Sequence, residues 1–475
     1  VIDDPCLMTL VDMADAIARG AVSSRAVVEA HLDRIEALDS RLGCFVTLDR
    51  EEALRAADRA DAAVARGDRL GPLHGVPLAH KDMFDRAQCV AGRGSRVRSD
   101  YRPSGNATVL ARLEAAGAIT LGALAMVEFA MGPHGYNAHL RPCRNPWNPD
   151  HVPCGSSCGS GVSVAARLTP ASLGSDTGGS IRCPASANGV TGLQPTWSRV
   201  SRHGVMPMSP SLDTVGPLAR TAQDCARIMS VIAGADPLDP TAALHQAPDY
   251  EAGLGRPLDG VRVGIPVGYF DEGLSRDIVV RLEESRTALR SLGAELVEIK
   301  IPSLVQDAAD LHPLVMKAEG AANHHLWMRG QPDAYSPEVR HRLQAGFFIP
   351  AVDYIQALKL RGVLLRRFRD SVFAKVDVLH TTVLPKAAPT VAETTTANGP
   401  AYLDMVVSLT RNTKITNFLG LPAISVPCGF TGASLPVSFQ LIGRPFSEAL
   451  LLRCAHHYQR GTDWHARVPS IVQSA

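Results

Sequence analysis

Apolar residues recur along this chain at two spacings, and the alternation between them predicts the architecture. Val27, Val28, Leu32, Ile35 and Leu38 fall at three- and four-residue steps behind the capping candidates Ser23 and Ser24, which predicts an amphipathic helix. The Ala-rich, charge-alternating stretch from Glu51 to Arg66 predicts a second. Short apolar runs then alternate with helical ones. Strands are expected at Val76 to His80, Ala118 to Leu121, Val261 to Ile265, Leu296 to Ile301, Val376 to Leu379, Ile424 to Pro427 and Val437 to Ile442. Helical patterns lie at Ala107 to Ala116, Ala222 to Ala233, Ile278 to Leu292, Tyr354 to Phe373 and Phe446 to His457. That order implies an α/β fold: a large, parallel or mixed sheet covered by helices on both faces.

Punctuation along the chain is sparse. The stretch Gly234 to Gly255, with Pro237, Pro240 and Pro248, could separate two lobes or simply cross the surface of one domain. The segment from 304 to 404 has a looser, Pro- and aromatic-containing composition that suggests a substrate-shaping region, with a loop from Gln331 to Ile349 inside it. The basic run Arg361, Arg366, Arg367 and Arg369 alternates with Leu364, Leu365 and Phe368 and reads as a solvated helix face.

With 45% hydrophobic and 20% charged residues over 475 positions, the chain can bury a large core. A formal net charge of +1 without long charged blocks offers no evident footprint for nucleic acid or an anionic membrane. Ten cysteines at irregular spacing fit neither a disulfide framework nor a zinc site. No signal-like start and no spanning apolar run is visible, so a cytoplasmic location is expected.

The chemistry concentrates in two clusters, Gly155-Ser156-Ser157-Cys158-Gly159-Ser160 and Asp176-Thr177-Gly178-Gly179-Ser180. Glycine presents main-chain N–H groups with no side chain in the way, so Gly178-Gly179 beside a serine reads as an oxyanion-binding loop next to a nucleophile. A serine hydroxyl needs a base within reach. Gly155-Ser156-Ser157-Cys158-Gly159 satisfies G-x-S-x-G and would make Ser157 a nucleophile elbow. The preceding residues include Pro146, Pro149 and Pro153, which are incompatible with the central strand such an elbow requires. Lys81 is the other candidate base. It follows Val76-Pro77-Leu78-Ala79 at an expected strand end, where desolvation would lower its affinity for a proton.

The combined pattern resembles the amidase signature family from about residue 8 to about residue 465. The matching segments are Gly75-Val76-Pro77-Leu78-Ala79-His80-Lys81-Asp82, Arg144-Asn145-Pro146-Trp147-Asn148-Pro149 and Gly174-Ser175-Asp176-Thr177-Gly178-Gly179-Ser180-Ile181-Arg182. Further matches are Gly192-Leu193-Gln194-Pro195-Thr196, Ser211-Leu212-Asp213-Thr214-Val215-Gly216-Pro217, Gly420-Leu421-Pro422-Ala423 and Phe439-Gln440-Leu441-Ile442-Gly443. The resemblance implies one α/β/α sandwich domain over 1–475, with the catalytic motifs in 68–230. It implies Ser180 as acylated nucleophile, Ser156 as bridging serine and Lys81 as base. It also implies an oxyanion hole from the N–H groups of Thr177, Gly178, Gly179 and Ser180, and a cis peptide at Gly155-Ser156 or its neighbour.

Ser157, Asp176 and Arg182 are expected to support Lys81 and the loop, and Asp176 with Arg182 also reads as a structural ion pair. The pocket candidates are Met131, Pro133, Tyr136, Met206 and Met208, with Leu384, and all could equally be core. Cys154 and Cys158 stand where the family usually has glycines. They could form a metal or redox pair or pack like small apolar residues. Strand alternation turns His80 away from Lys81, which favours a structural role.

The expected function is a serine amidohydrolase cleaving carbon–nitrogen acyl bonds, with anilides, aryl carbamates and esters as further substrates. The alternative is the glutaminase subunit of a tRNA-dependent amidotransferase. No metal and no cofactor is expected. The expected partner is a small-molecule amide, carbamate or ester, without nucleic acid or membrane, and a homodimer is left open.

Overall fold

The computed structural model describes residues 4–396 and 399–473. Among the described residues, eleven strands form one sheet: β1 (Phe45–Leu48), β2 (Pro77–Lys81), β3 (Ile119–Leu124), β4 (Ala171–Asp176), β5 (Thr191–Gln194), β6 (Thr214–Ala219), β7 (Arg262–Val267), β8 (Glu295–Lys300), β9 (Val378–Thr382), β10 (Ala423–Phe430) and β11 (Pro436–Gly443). Their spatial order is β1-β3-β2-β4-β6-β5-β10-β11-β9-β7-β8. β2 runs parallel to β3 and β4, and β7 to β8 and β9, whereas β4, β6, β5, β10 and β11 pair antiparallel. The sheet is therefore mixed. It continues on both sides of the Gly234–Gly255 stretch, because β6 and β7 belong to it alike.

Each expected strand is present within a few residues, and so is each expected helix. Ser23 caps the helix Ser24–Leu42 by accepting the Ala26 N–H, and Gly43 ends it in the left-handed region that glycine adopts freely. Side-chain alternation then assigns the two faces. In β10 and β11, Ile424, Val426, Val437, Phe439 and Leu441 enter the largest apolar cluster, together with Leu451, Leu452 and Ala455 of the helix Glu448–Arg460. Gln440 points to the opposite face, where the short helix Arg182–Asn188 packs.

Three expectations change. Residues 304–396 are predominantly helical rather than loose, beginning with the helix Leu304–Gly330, and 397–398 of the expected shaping region lie outside the described residues. The expected loop at 331–349 contains a 3₁₀ turn, Pro332–Ala334, and the helix Pro337–Gly346. Of the basic run, Arg366, Arg367 and Arg369 are exposed, but Arg361 turns inward and donates to the Ser211 carbonyl at 2.6 Å. Among the described residues, no helix is long and apolar enough to cross a membrane.

Candidate active site

The C-terminal ends of β2 and β4, two adjacent parallel strands, bring the key side chains together. Lys81 closes β2 with none of its surface exposed. Its Nζ lies 2.7 Å from Ser156 Oγ and 2.9 Å from Ser175 Oγ. Burial pushes its pKa down to about 7, against the opposing pull of Cys158, Asp176 and Asp213. A neutral amine is thus accessible at ordinary pH. His80 points away, as alternation requires: its Nδ1 donates to the Lys81 carbonyl at 3.0 Å and its ring stands edge-on to Phe84.

Ser156 follows a cis peptide bond from Gly155. Gly155 N–H donates to Pro133 O at 2.6 Å, and Ser157 N–H donates to Ser180 O at 3.3 Å, so the two serine clusters are tied together. Ser157 Oγ, the candidate of the elbow reading, is buried and donates to the Ser175 carbonyl at 3.2 Å. It supports the strand end one step removed from Lys81. Besides Ser156, the residue touching Lys81 directly is Ser175, which the sequence left without a role although it sits inside a matched motif.

Asp176 organises the loop that carries Ser180. Its carboxylate accepts the N–H of Gly179 at 2.7 Å, of Ile181 at 3.0 Å and of Arg182 at 3.4 Å. Burial raises the pKa of this carboxyl, but the charge and hydrogen bonds of Arg182, with those of Ile181 and Asn417, outweigh it and hold the group below its ordinary value. Arg182, fully buried, also donates to Thr416 Oγ1 at 2.7 Å, Asn417 Oδ1 at 2.9 Å, Thr413 O at 3.0 Å and Gln440 Oε1 at 3.2 Å. The pair is thus a structural ion pair and a loop support at once.

The Gly179 N–H, spent on Asp176, is turned away from the role expected of it. The candidate oxyanion donors narrow to Thr177, Gly178 and Ser180. Thr177 Oγ1 donates to Asp213 Oδ1 at 2.6 Å, His312 Nε2 to Thr177 O at 2.8 Å, and Thr413 Oγ1 to Gly178 O at 2.7 Å. Asp213, His312 and Thr413 were not singled out by the sequence. Asp213 lay inside a matched motif, whereas nothing local marked the other two.

Of the pocket candidates, Met131, Met206 and Met208 share one apolar cluster with Met83, Met126 and Phe129. Pro133 is buried and Tyr136 is 48% exposed. Leu384 belongs elsewhere, packed with Cys154 and Cys183. Cys158 sits with Cys44 and Cys143 in a different cluster, so the two cysteines at the usual glycine positions are not brought together as a pair. Cys154 holds φ at 55°, a conformation glycine would adopt more easily. Met83, Ser175, Met206, Asp213 and Thr214 line a cavity of about 320 Å³ that also reaches the exposed Leu238 and Thr241.

Comparison with known proteins agrees with this geometry. The Amidase family model matches residues 26–452. The A subunit of glutamyl-tRNA(Gln) amidotransferase from Roseiflexus sp. (strain RS-1) is 40% identical over 486 aligned positions, covering 98% of this chain and 98% of that protein. The protein of the same name from Halorhodospira halophila (strain DSM 244 / SL1) is 39% identical, covering 97% and 98%. Among solved structures, the native peptide amidase from Stenotrophomonas maltophilia matches with a TM-score of 0.83 at 29% identity, covering 97% of this chain and 98% of that one. The A subunit of glutamyl-tRNA(Gln) amidotransferase from Thermotoga maritima matches with a TM-score of 0.80 at 28% identity, covering 95% and 94%.

These relatives correct one expectation. Partners limited to a small-molecule substrate, with no nucleic acid, do not stand against full-length relatives named as subunits of an enzyme for a tRNA. The balance between the two functional readings shifts accordingly. The mixed sheet, the buried lysine beside its serines and a family model spanning most of the chain agree: the protein belongs to the Amidase family, hydrolases of carbon–nitrogen bonds.

Proposed function

We propose that the chain releases ammonia from a primary carboxamide through an acyl-enzyme on Ser180, with Ser156 as proton bridge and Lys81 as base. The observation that carries this reading is a fully buried lysine, 2.7 Å from Ser156 Oγ, with a pKa brought to about 7. With the amine neutral, Ser156 donates to its lone pair. Ser180 Oγ attacks the carbonyl carbon, its proton passes to Ser156, and the proton of Ser156 passes to Lys81. Charge developing on the carbonyl oxygen is met by the N–H groups of Thr177, Gly178 and Ser180. Collapse of the tetrahedral intermediate breaks the carbon–nitrogen bond, and the relay runs backwards to protonate the departing nitrogen. Water then attacks the Ser180 ester by the same route and restores the hydroxyl.

The carboxamide we propose is that of glutamine, with the chain acting as the glutaminase subunit of a tRNA-dependent amidotransferase and passing ammonia onward. Identities of 39 to 40% along the whole chain to proteins of that name support this. A second reading, a free-standing amidase taking apolar amides, anilides or aryl carbamates, is supported by the methionine-rich surroundings of Met131, Met206 and Met208. Ten unpaired cysteines support a reducing, cytoplasmic setting for either.

The test is hydrolysis of glutamine, a primary apolar amide, a nitroanilide, an aryl carbamate and a nitrophenyl ester by the isolated chain and its Ser180→Ala, Lys81→Ala and Ser157→Ala variants. Turnover of glutamine that rises on adding the other subunits of such a complex is the expected result. Efficient turnover of the anilide or carbamate, with glutamine ignored, moves the assignment to the free amidase. Activity surviving in Ser180→Ala but lost in Ser157→Ala would overturn the catalytic assignment itself.

A further inference from the structure

The oxyanion loop receives a hydrogen bond from outside the catalytic motifs. His312 lies in the helix Leu304–Gly330 and is 4% exposed. Its Nε2 is 2.8 Å from Thr177 O. A carbonyl can only accept, so the proton is on Nε2. Burial lowers the affinity of this ring for a second proton, to a pKa of about 4, which keeps it a neutral donor at working pH.

What the ring grips is one half of a planar unit. In a trans peptide the carbonyl of Thr177 and the N–H of Gly178 are antiparallel parts of one rigid plane. Holding the oxygen on the helix side therefore turns the Gly178 N–H to the opposite side, and donation to the carbonyl also polarises that N–H. The ring packs closely enough to dictate the residue it covers: a Cβ added to Gly178 would lie 3.0 Å from His312 Cε1 and 3.2 Å from Nε2. The other restraints act on different atoms, Asp213 on the Thr177 hydroxyl and Thr413 on the Gly178 carbonyl. His312 alone among these three side chains fixes the plane that ends in the Gly178 N–H.

We infer that His312 is a positioning residue for acyl transfer, aiming the Gly178 N–H at the oxygen of the tetrahedral intermediate. This rests on the reading of Ser180 as nucleophile. The helix that carries His312 also packs its Gly320 against Met131 Cε and Met208 O, so the loop and the methionine cluster share one rigid support.

The test compares His312→Gln, whose amide nitrogen reaches the position of Nε2, with His312→Asn, whose shorter amide does not. Both are assayed on the best substrate found above and on its aldehyde analogue, which becomes a tetrahedral oxyanion on Ser180. The Asn variant should lose about 10- to 100-fold in kcat, below the cost of deleting a donor outright, with KM within about twofold. Its aldehyde affinity should fall by the same factor, and the Gln variant should recover most of both. Equal activity in the Asn and wild-type proteins, while Ser180→Ala is dead, overturns the proposal and leaves the nucleophile intact. Equal losses in the two variants, with matching falls in thermal stability, mark a purely structural histidine and overturn it too. An active Ser180→Ala refutes the underlying reading instead.

Discussion

Replacing Lys81 by methionine should leave a protein that is inert but, at neutral pH, more stable. The wild-type ammonium has a pKa of about 7 in the fold against an ordinary 10.5. That depression corresponds to about 5 kcal/mol, at about 1.4 kcal/mol per unit, by which the folded state disfavours the charged form. Between pH 7 and 10.5 the unfolded chain holds one more proton than the folded one, so wild-type stability rises with pH across this window. Below 7 both states are protonated and the penalty is present in full. Methionine has a similar length and no charge, and it escapes the penalty. The stability of Lys81→Met minus that of wild type should therefore be largest below pH 7 and fall by about 2 kcal/mol between pH 7 and 9. Urea unfolding of both proteins, followed by tryptophan fluorescence at half-unit pH steps, reads this difference directly. The acylation rate of wild type should climb about tenfold per unit below pH 7 and level off above it, because the neutral amine is the proposed base. A stability difference that stays flat from pH 7 to 9, together with a rate profile lacking an inflection near 7, would refute the neutral-lysine argument.

Other substitutions separate chemistry from support. Ser180→Ala and Ser156→Ala should each lower kcat by about 10⁴-fold or more, while Ser157→Ala, whose hydroxyl only braces the Ser175 carbonyl, should cost about tenfold in a single-turnover assay. Asp176→Asn leaves the Arg182 charge in a dry interior and should reduce stability by about 3 to 5 kcal/mol, measured by urea unfolding. Gly179→Ala should fold poorly or lose at least about 100-fold in kcat, since its φ is +129° and an added Cβ would meet Thr413 Oγ1 at 2.3 Å and Cys183 Sγ at 2.7 Å. Thermal denaturation beside the kinetics distinguishes those two outcomes.

The sequence carried the outer architecture well and the centre of the sheet poorly. Strands such as Val261 to Ile265 stood out because apolar Val261, Val263 and Ile265 alternate along them. β4 and β6 did not, because Ser, Gly, Pro and Ala interrupt the few apolar residues, Leu173, Val215 and Leu218, of Ala171–Asp176 and Thr214–Ala219. The structure supplies the physical reason: a Cβ at Gly174 would meet Leu218 Cδ1 at 2.8 Å, and one at Gly216 would meet Leu193 O at 2.1 Å. Close packing demands small residues there, and small residues look like loops. The helix Leu304–Gly330 was obscured similarly, by Pro313 inside it and by Gly320, which makes room for Met131. Lys81, Ser156 and Ser180 were legible through motif resemblance. His312, Thr413 and Asn417 were not, since their importance lies in contacts with residues 135 to 241 positions away.

Those long separations bear on how the protein comes into being at the ribosome. When residues up to about 230 have emerged, every atom of the proposed relay exists, yet Arg182 has neither Thr416, Asn417 nor Gln440 to receive its hydrogen bonds, and β5 lacks its neighbour β10. A nascent chain in that condition has a nucleophile without a fixed frame. Competence for hydrolysis should arrive late and abruptly, once residues 413–440 have emerged, so a shorter product carries little risk of indiscriminate amide cleavage.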